Sequence, residues 1–309
     1  MSSMLRRQWA ALPLFLAVGA GAAYGLYPEP QAKMQPVEIS AKPVPTKPET
    51  VTAQHLPLQA MSTVEVDAFL RTLPPQLTQR IEKVSAQASG TPYVLGPLGE
   101  GPEAPYDKKP LINLQQVDCV TFCEQTLALS LSQSYAEAVE VLQKIRYKAG
   151  EIKMECRNHY TMADWTINNR WLMDDITPRL AGHQWLSRTI SHQKLFAAQK
   201  FVGIQVREPD RLMKVAYIPE AGINAILPQL KSGDMGVLIQ DHEGIFAAHT
   251  GFMIKKEGQW VFRNATSIGP RKVVDTPIQE LVTALEKSKR LIGMAFVRPR
   301  PEALQKVTS

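Results

Sequence analysis

Apolar positions follow two different periods along this chain, and the change between them divides its folded part. Before about residue 180, apolar residues recur at spacings of three and four, as they do on one face of a helix. Two capping boxes, Ser62 to Glu65 and Ser134 to Glu137, mark helix starts. The pattern predicts helices that begin near residues 63, 78, 119, 135 and 165, the last of them running over 165–172.

Beyond about residue 198, apolar residues alternate with polar ones or form short runs between turn signals, which is typical of strands. A late helix is predicted over 276–289, and an irregular segment rich in Gly and Pro over 91–110. Helices first and strands second indicate an α+β fold with an antiparallel sheet. The predicted strands are 214–218, 235–240, 247–254, 259–264, 272–274 and 292–297.

The N-terminal segment has the pattern of an export signal. Arg6 and Arg7 precede a run over 9–27 that contains no charge, and Ala20-Gly21-Ala22 offers a small-residue cleavage site. An uncleaved anchor is the alternative, because roughly 18 apolar residues can just span a bilayer. Repeated prolines predict an extended linker. We expect a signal peptide or anchor at 1–27, a linker at 28–58 and one folded domain at 59–309, located in the periplasm or cell envelope.

Composition narrows the class of partner. The chain has 309 residues, of which 44% are hydrophobic, so it can bury a full core. Its formal net charge of +6 suits an anionic polymer or a membrane surface. No cluster of Lys and Arg is dense enough to indicate nucleic-acid binding.

Cys119 lies where a thiol can become reactive. Asp118 is a suitable N-cap, so Cys119 should open a helix, where unpaired N–H groups and the positive end of the helix dipole favour a thiolate. This environment is expected to lower the thiol pKa from its usual value of about 8.5. The alternative for this segment alone, and the commoner case, is a cysteine packed as a small apolar residue under a core helix.

Three cysteines are an odd number for an exported chain, so at least one thiol stays reduced or pairs between chains. Cys119 and Cys123 lie one helical turn apart, which places them poorly for a disulfide. A bridge between Cys123 and Cys156 would leave Cys119 reduced, and the alternative is that both are buried and reduced. Neither paired C-x-x-C cysteines nor histidines at i, i+4 occur, so no metal and no cofactor is expected.

His249 is the candidate base. It lies in an otherwise apolar strand, where a satisfied core histidine is the common alternative, and His159 competes with it because of its polar neighbours. Asn264 lies on the next strand across the turn at 256–258, so hairpin pairing can bring its amide beside His249. Such an amide fixes the tautomer of the ring while the ring takes the proton of a thiol.

These residues together resemble the NlpC/P60 papain-like superfamily of cysteine peptidases. The shared order is a cysteine at a helix start, Gly233-Asp234 before a strand, His249-Thr250-Gly251 on the next strand and Asn264 on the one after. From about residue 60 onward the chain is similar, more narrowly, to the DUF1460 family, described as N-acetylmuramoyl-L-alanine amidase-like. The stretches that carry this narrower resemblance are Thr91-Pro92-Tyr93, Asp118-Cys119-Val120-Thr121-Phe122, Ile145-Arg146-Tyr147, Arg157-Asn158-His159-Tyr160 and Asp164-Trp165.

The resemblance implies a papain-like fold over 59–309 and a catalytic set of Cys119, His249 and Asn264. Many relatives carry histidine where this chain has Asn264, so the pH dependence of activity could differ. The implied reaction is hydrolysis of an amide in muropeptides, preferably between N-acetylmuramic acid and L-alanine. A further set of polar and aromatic side chains would bind the substrate: Tyr93, Arg146, Arg157, Asn158, His159 and Tyr160.

Three other functions stay open at this point. A γ-D-glutamyl endopeptidase would use the same thiol on the stem peptide of peptidoglycan. A lipid-acting acyltransferase or hydrolase would need an apolar groove beside Cys119. A non-catalytic wall-binding module would keep the fold without turnover, although the intact Cys, His and Asn argue against it.

Overall fold

The computed structural model describes residues 56–206 and 208–308, with side chains up to residue 305. The predicted signal or anchor at 1–27 and nearly all of the linker at 28–58 lie outside these residues. Leu58, at the end of the predicted linker, is buried, and the predicted boundary at 58 stays a prediction. No helix in the described part of the chain is both long and apolar enough to cross a membrane.

Most of the α-helical residues lie in the first half of the described chain. Ser62 caps the first helix in a capping box with Glu65, and Ser134 accepts a hydrogen bond from the Glu137 N–H at the start of the fourth. Both predicted helix starts are therefore confirmed. The α-helices are α1 (Thr63–Arg71), α2 (Leu77–Gln87), α3 (Cys119–Leu131), α4 (Tyr135–Arg146), α5 (Thr166–Asn168), α6 (His192–Ala198), α7 (Ile223–Ile226), α8 (Ile278–Glu286) and α9 (Ala303–Thr308).

The strands form one antiparallel sheet. Seven strands follow the order β2-β3-β8-β4-β5-β6-β7, and β1 pairs with β8 off this path. The α+β class with an antiparallel sheet is confirmed. The strands are β1 (Met173–Asp175), β2 (Gln184–Ile190), β3 (Arg211–Pro219), β4 (Asp234–His242), β5 (Ile245–Lys256), β6 (Gln259–Ala265), β7 (Val273–Pro277) and β8 (Leu291–Pro299).

Two expectations about single elements were wrong, and one strand was not predicted. The helix predicted over 165–172 is a π-helical turn, Thr161–Trp165, followed by the short α5. The late helix begins at Ile278, because residues 276 and 277 complete β7. Strand β2 had no counterpart in the prediction because its exposure alternates at an edge of the sheet, with Trp185 47% exposed, and it lacks a continuous apolar run.

Two apolar clusters cover the sheet. The larger one packs α1 to α4 against it, and Phe122 of α3 meets Phe252 of β5 edge to face with ring centroids 5.8 Å apart. The smaller one packs α7 and α8 with residues such as Met253 and Phe262. Helix α3 is almost completely buried, so its N-terminus is held against β5 by packing as well as by hydrogen bonds.

Candidate active site

The start of α3 is fixed by a buried capping network around Asp118. The Asp118 carboxylate accepts hydrogen bonds from the Thr121 N–H at 2.7 Å and from the Gly96 N–H at 2.9 Å. The Thr121 hydroxyl oxygen in turn accepts a hydrogen bond from the Asp118 N–H at 2.8 Å. Cys119 is the first helical residue and is 5% exposed. The sequence prediction that Asp118 caps a helix beginning at Cys119 is confirmed.

Thr250 of β5 joins this helix start to the sheet. The Thr250 hydroxyl donates to the Cys119 carbonyl at 2.8 Å, and the Cys123 sulfur lies 3.7 Å from the Thr250 hydroxyl oxygen. Thr250 is 1% exposed, so water does not compete for these bonds. Because Thr250 directly follows His249, the backbone of the candidate nucleophile is held within one residue of the candidate base. Sequence reasoning missed Thr250, although it stands inside the His-Thr-Gly stretch.

The His249 ring is oriented by Asn264. The His249 Nε2 lies 2.9 Å from Asn264 Oδ1, and the Asn264 amide nitrogen donates to the Phe262 carbonyl at 3.0 Å and to the Thr276 hydroxyl at 3.2 Å. Those two bonds fix which end of the amide faces the ring. An amide oxygen only accepts, so Nε2 carries the proton. In the neutral ring, Nδ1 therefore keeps a lone pair and can act as a base.

Gly251 makes this pairing possible. A Cβ at Gly251 would lie 2.5 Å from the Arg263 carbonyl and 2.9 Å from the Asn264 Cβ, both closer than real contacts allow. The register of β5 with β6, in which Phe252 pairs with Arg263, places Gly251 beside Asn264. Since alternate residues share a face of a strand, His249 and Gly251 point the same way. The missing side chain leaves Asn264 room to reach diagonally to His249.

The expected low pKa of Cys119 was wrong. Burial raises the pKa of the Cys119 thiol to about 12, and the neighbouring Asp118 carboxylate raises it further. Hydrogen bonding from Thr250 and from the Val120 N–H lowers it by less than burial raises it. The helix N-terminus is present as predicted, but desolvation outweighs it. The thiol is neutral at physiological pH.

His249 has the opposite shift. Burial lowers its pKa, and the hydrogen bond to Asn264 and the charge of Asp118 offset only part of that effect. The ring is therefore neutral at physiological pH and able to accept a proton. No hydrogen bond joins the Cys119 thiol to the His249 ring in the described structure, and catalytic bonds are often long before a substrate binds.

Tyr93 lies near the start of α3. Its backbone pairs in parallel with Val117, just before Asp118, and its N–H donates to the Arg271 carbonyl at 2.8 Å. Burial raises the pKa of the Tyr93 hydroxyl, as do the nearby Cys119 and Asp118, whereas Arg271 opposes the rise. These interactions place Tyr93 beside Cys119. Arg271, which the sequence reasoning did not single out, lies there too, with a left-handed φ of 47°.

The two arginines predicted to bind substrate are committed to buried ion pairs. Arg146 is 2% exposed and donates to Glu124 at 2.9 Å. Arg157 is 6% exposed and pairs with Glu100 and, at 3.2 Å, with Asp107. These contacts hold α4 and the following loop against α3 and the irregular segment. A substrate role for either arginine would require opening an existing pair.

The other predicted binding residues, together with Arg157, form a second group. The buried His159 donates from Nε2 to the Met154 carbonyl at 2.8 Å, and burial lowers its pKa to about 3. Tyr160 is also buried, and its hydroxyl donates to the Ser191 carbonyl at 3.0 Å. The partly buried Asn158 lines a cavity near them. Among the described residues, no hydrogen bond or ion pair joins these three to Cys119, and their role in substrate binding stays a prediction.

The cysteine alternatives are decided by the structure. Cys119, Cys123 and Cys156 are all buried, and none forms a disulfide. Burial raises the pKa of the Cys123 thiol well above its usual value, so this thiol is protonated at neutral pH. In the described part of the chain, no group of three or more His, Cys, Asp or Glu side chains is arranged to hold a metal ion.

Comparison with known proteins identifies the family of this chain. The family model AmiA-like, described as N-acetylmuramoyl-L-alanine amidase-like, matches residues 83–288. A DUF1460 protein from Legionella pneumophila is similar in structure, with 25% identity, a TM-score of 0.68, and coverage of 77% of this chain and 94% of that one. An N-acetylmuramoyl-L-alanine amidase from Bacteroides uniformis is 25% identical, with a TM-score of 0.61 and coverage of 72% and 99%.

A third similar structure is described as a putative xylanase from Bacteroides fragilis, at 28% identity, a TM-score of 0.59, and coverage of 70% and 99%. None of the curated proteins matches the chain significantly. The family model covers well over half of the chain, and the narrower resemblance seen in the sequence, to the DUF1460 family, agrees with it. The chain belongs to the AmiA-like (DUF1460) family, whose members are N-acetylmuramoyl-L-alanine amidase-like.

Proposed function

We propose that this protein is a cysteine-dependent amidase that cleaves the bond between N-acetylmuramic acid and L-alanine in muropeptides. The family supplies the class of enzyme, a cell-wall amidase. The thiol mechanism rests on one observation. The Thr250 hydroxyl binds the Cys119 carbonyl, and the next residue along β5, His249, is held by Asn264.

The resting protonation states define the first step. The thiol keeps its proton, because burial raises its pKa to about 12, and His249 is neutral with a lone pair on Nδ1. His249 therefore takes the thiol proton as the sulfur attacks the carbonyl carbon of the amide. The Cys119 N–H, at the first position of α3, is free of the helix ladder and can bind the oxyanion.

The second step releases the amine. The tetrahedral intermediate collapses, the C–N bond breaks, and the proton on His249 moves to the leaving amine of L-alanine. The acyl group stays on Cys119 as a thioester. Water, deprotonated by the same ring, then hydrolyses the thioester and restores the thiol. Asn264 keeps Nε2 protonated throughout and stabilises the transient imidazolium.

The site of action is part of the proposal. The export pattern at 1–27 and the linker at 28–58 support a location in the periplasm or cell envelope, as a secreted domain or one tethered at the inner membrane. Peptidoglycan fragments are available there as substrates.

Mass spectrometry of defined muropeptides tests the proposal. Incubation of N-acetylmuramoyl-L-alanine with the full chain should release N-acetylmuramic acid and L-alanine. Cys119→Ala should lower the rate of this cleavage by more than about 1,000-fold. Cys123→Ala is the matched control, since Cys123 is a buried thiol one helical turn away, and it should keep cleavage.

Other products would redirect the assignment. Cleavage after D-glutamate would indicate the γ-D-glutamyl endopeptidase. Full activity in Cys119→Ala would refute the thiol mechanism. No cleavage of any muropeptide by folded protein would refute the amidase, and lipid esters and simple wall binding would then be the alternatives to test.

A further inference from the structure

Arg271 is a charged residue near the candidate nucleophile that the proposed mechanism does not use. It lies in the loop between β6, which carries Asn264, and β7. Its carbonyl accepts a hydrogen bond from the Tyr93 N–H at 2.8 Å, and the other edge of the Tyr93 segment pairs with Val117. Because adjacent extended segments lie about 5 Å apart, the Arg271 backbone is about 10 Å from Val117, two residues before Cys119.

The Arg271 side chain acts on the Tyr93 hydroxyl. Burial raises the pKa of this hydroxyl, and Cys119 and Asp118 raise it further, whereas the Arg271 charge and a hydrogen bond with Ser267 oppose the rise. Electrostatic effects of this kind decrease with distance, so the guanidinium, the phenol and the thiol lie in one neighbourhood. The backbone pairing and the side-chain electrostatics therefore agree on where Arg271 lies.

The positive charge of Arg271 is not paired within the described part of the chain. Its guanidinium forms no hydrogen bond or ion pair there, and the residue is exposed. The β6–β7 hairpin contains one acidic residue, Asp275, which already binds Arg263 at 2.6 Å. The start of α3 contains one more, Asp118, whose buried carboxylate already accepts hydrogen bonds from two backbone N–H groups. The elements around Arg271 therefore leave this cation to an outside partner.

A carboxylate is the partner that suits this place. A guanidinium is always charged and presents a fork that binds both oxygens of a carboxylate at once. The Tyr93 hydroxyl adds a neutral donor beside it. The charge of Asp118 disfavours an anion at the thiol itself, so the carboxylate is expected at Arg271, away from the bond that is cut.

The substrate of the proposed reaction has one such group. In N-acetylmuramoyl-L-alanine the sugar, its acetyl group and the amide to be cut are neutral, and the L-alanine carboxylate is the anion. We infer that Arg271 is a specificity residue that binds the carboxylate on the amine side of the scissile amide, an inference that rests on the proposed function. The enzyme would then favour substrates in which this carboxylate is free.

Two matched substrates test this role in the full chain: N-acetylmuramoyl-L-alanine and the same compound with the carboxylate replaced by a neutral amide. KM should be at least about tenfold lower for the acid, because the amide lacks the charge-assisted hydrogen bonds. In Arg271→Gln the KM for the acid should rise to that for the amide, with little change in kcat. Glutamine is subject to the same left-handed φ of 47° as arginine, so backbone strain is matched. Arg271→Lys, which keeps the charge but not the fork, should retain part of the preference.

Lys272→Gln is the matched control. Lys272 is the next residue along the chain and is also exposed, but successive side chains of an extended segment point to opposite faces. Its removal subtracts the same charge and should keep the preference for the acid. The inference is overturned if the parent shows equal KM for both substrates, if Arg271→Gln keeps the preference, or if Lys272→Gln loses it to the same extent.

Binding without turnover separates this inference from the proposed function. In the full chain carrying Cys119→Ala, ligand-observed NMR should show tighter binding of the acid than of the amide, and adding Arg271→Gln should abolish the difference. Cleavage by the parent without such a difference would overturn the role of Arg271 and leave the amidase standing. The difference without cleavage by the parent would support Arg271 and refute the amidase. Failure of the acid to bind at millimolar concentrations would overturn the inference.

Discussion

Replacing Thr250 by valine tests whether the link between α3 and β5 positions the thiol. The substitution nearly conserves shape but removes the hydroxyl that donates to the Cys119 carbonyl at 2.8 Å and lies 3.7 Å from the Cys123 thiol. One buried hydrogen bond contributes about 1 kcal/mol, and up to about 3 kcal/mol is lost when a partner stays buried and unsatisfied. We expect a loss of stability within this range, measured by urea unfolding.

Activity should fall by more than the loss of stability explains. A displacement of about 1 Å at a reacting group can cost about 100-fold in rate. Thr250 also lowers the pKa of the Cys119 thiol, so its removal raises that pKa further and makes proton removal harder. For hydrolysis of N-acetylmuramoyl-L-alanine we expect kcat to fall by about 10- to 100-fold with little change in KM. Alkylation of Cys119 by iodoacetamide should also slow.

Thr166→Val is a matched control. Its hydroxyl donates to the Thr161 carbonyl at 2.8 Å and lies 3.8 Å from the Met162 sulfur, so it reproduces both contacts of Thr250 away from Cys119. It should cost similar stability and leave kcat unchanged. Thr250→Ser, which keeps the hydroxyl, should restore most of the rate. Equal kcat in Thr250→Val and Thr166→Val would refute the positioning role.

Two further predictions concern the ring and a buried ion pair. Asn264→Ala removes the hydrogen bond that raises the pKa of His249, so this pKa should fall and the acid limb of kcat against pH should move to lower pH. Because the ring also loses its orientation, kcat should drop about 10- to 100-fold. A shift of the acid limb to higher pH would contradict this prediction. Arg146→Met leaves Glu124 buried without its cation, and it should lower the free energy of unfolding in urea by about 3–5 kcal/mol at neutral pH. The loss should be smaller at acidic pH, because protonation of the Glu124 carboxyl removes the unpaired charge. The same change at the exposed Arg179 should cost about 1 kcal/mol or less.

Local signals in the sequence located the elements that carry the site. The N-cap at Asp118 and the short apolar runs of β5 and β6 depend on neighbouring residues, so the helix start at Cys119 and the strands of His249 and Asn264 followed from them. The turn at 256–258 fixed their pairing as a hairpin. The contact of Asn264 with His249 was therefore predictable from chemistry within about 16 residues of chain.

Contacts distant in sequence were not predictable in this way. The hydroxyl of Thr250 meets the Cys119 carbonyl across 131 residues, and no local pattern marks that pairing. Arg157 was expected to bind substrate because arginine suits carboxylates, but its partners Glu100 and Asp107 lie in an irregular segment that periodicity does not describe. The edge strand β2 was missed because it lacks the apolar run of a buried strand.

The error over the pKa of Cys119 has a consequence for how the enzyme would be controlled. A helix N-terminus predicts a standing thiolate, but the complete burial of the start of α3 leaves a thiol whose pKa of about 12 is roughly five units above neutral pH. Thiolate is then a very minor species at rest, and under the proposed mechanism His249 creates the reactive state as the substrate arrives. Small alkylating reagents, which bring no such alignment, should react slowly at neutral pH. A substrate that fits the site would be attacked because its bound position aligns the carbonyl with the thiol and the imidazole ring. The enzyme would then select its substrate at the proton-transfer step as well as at binding.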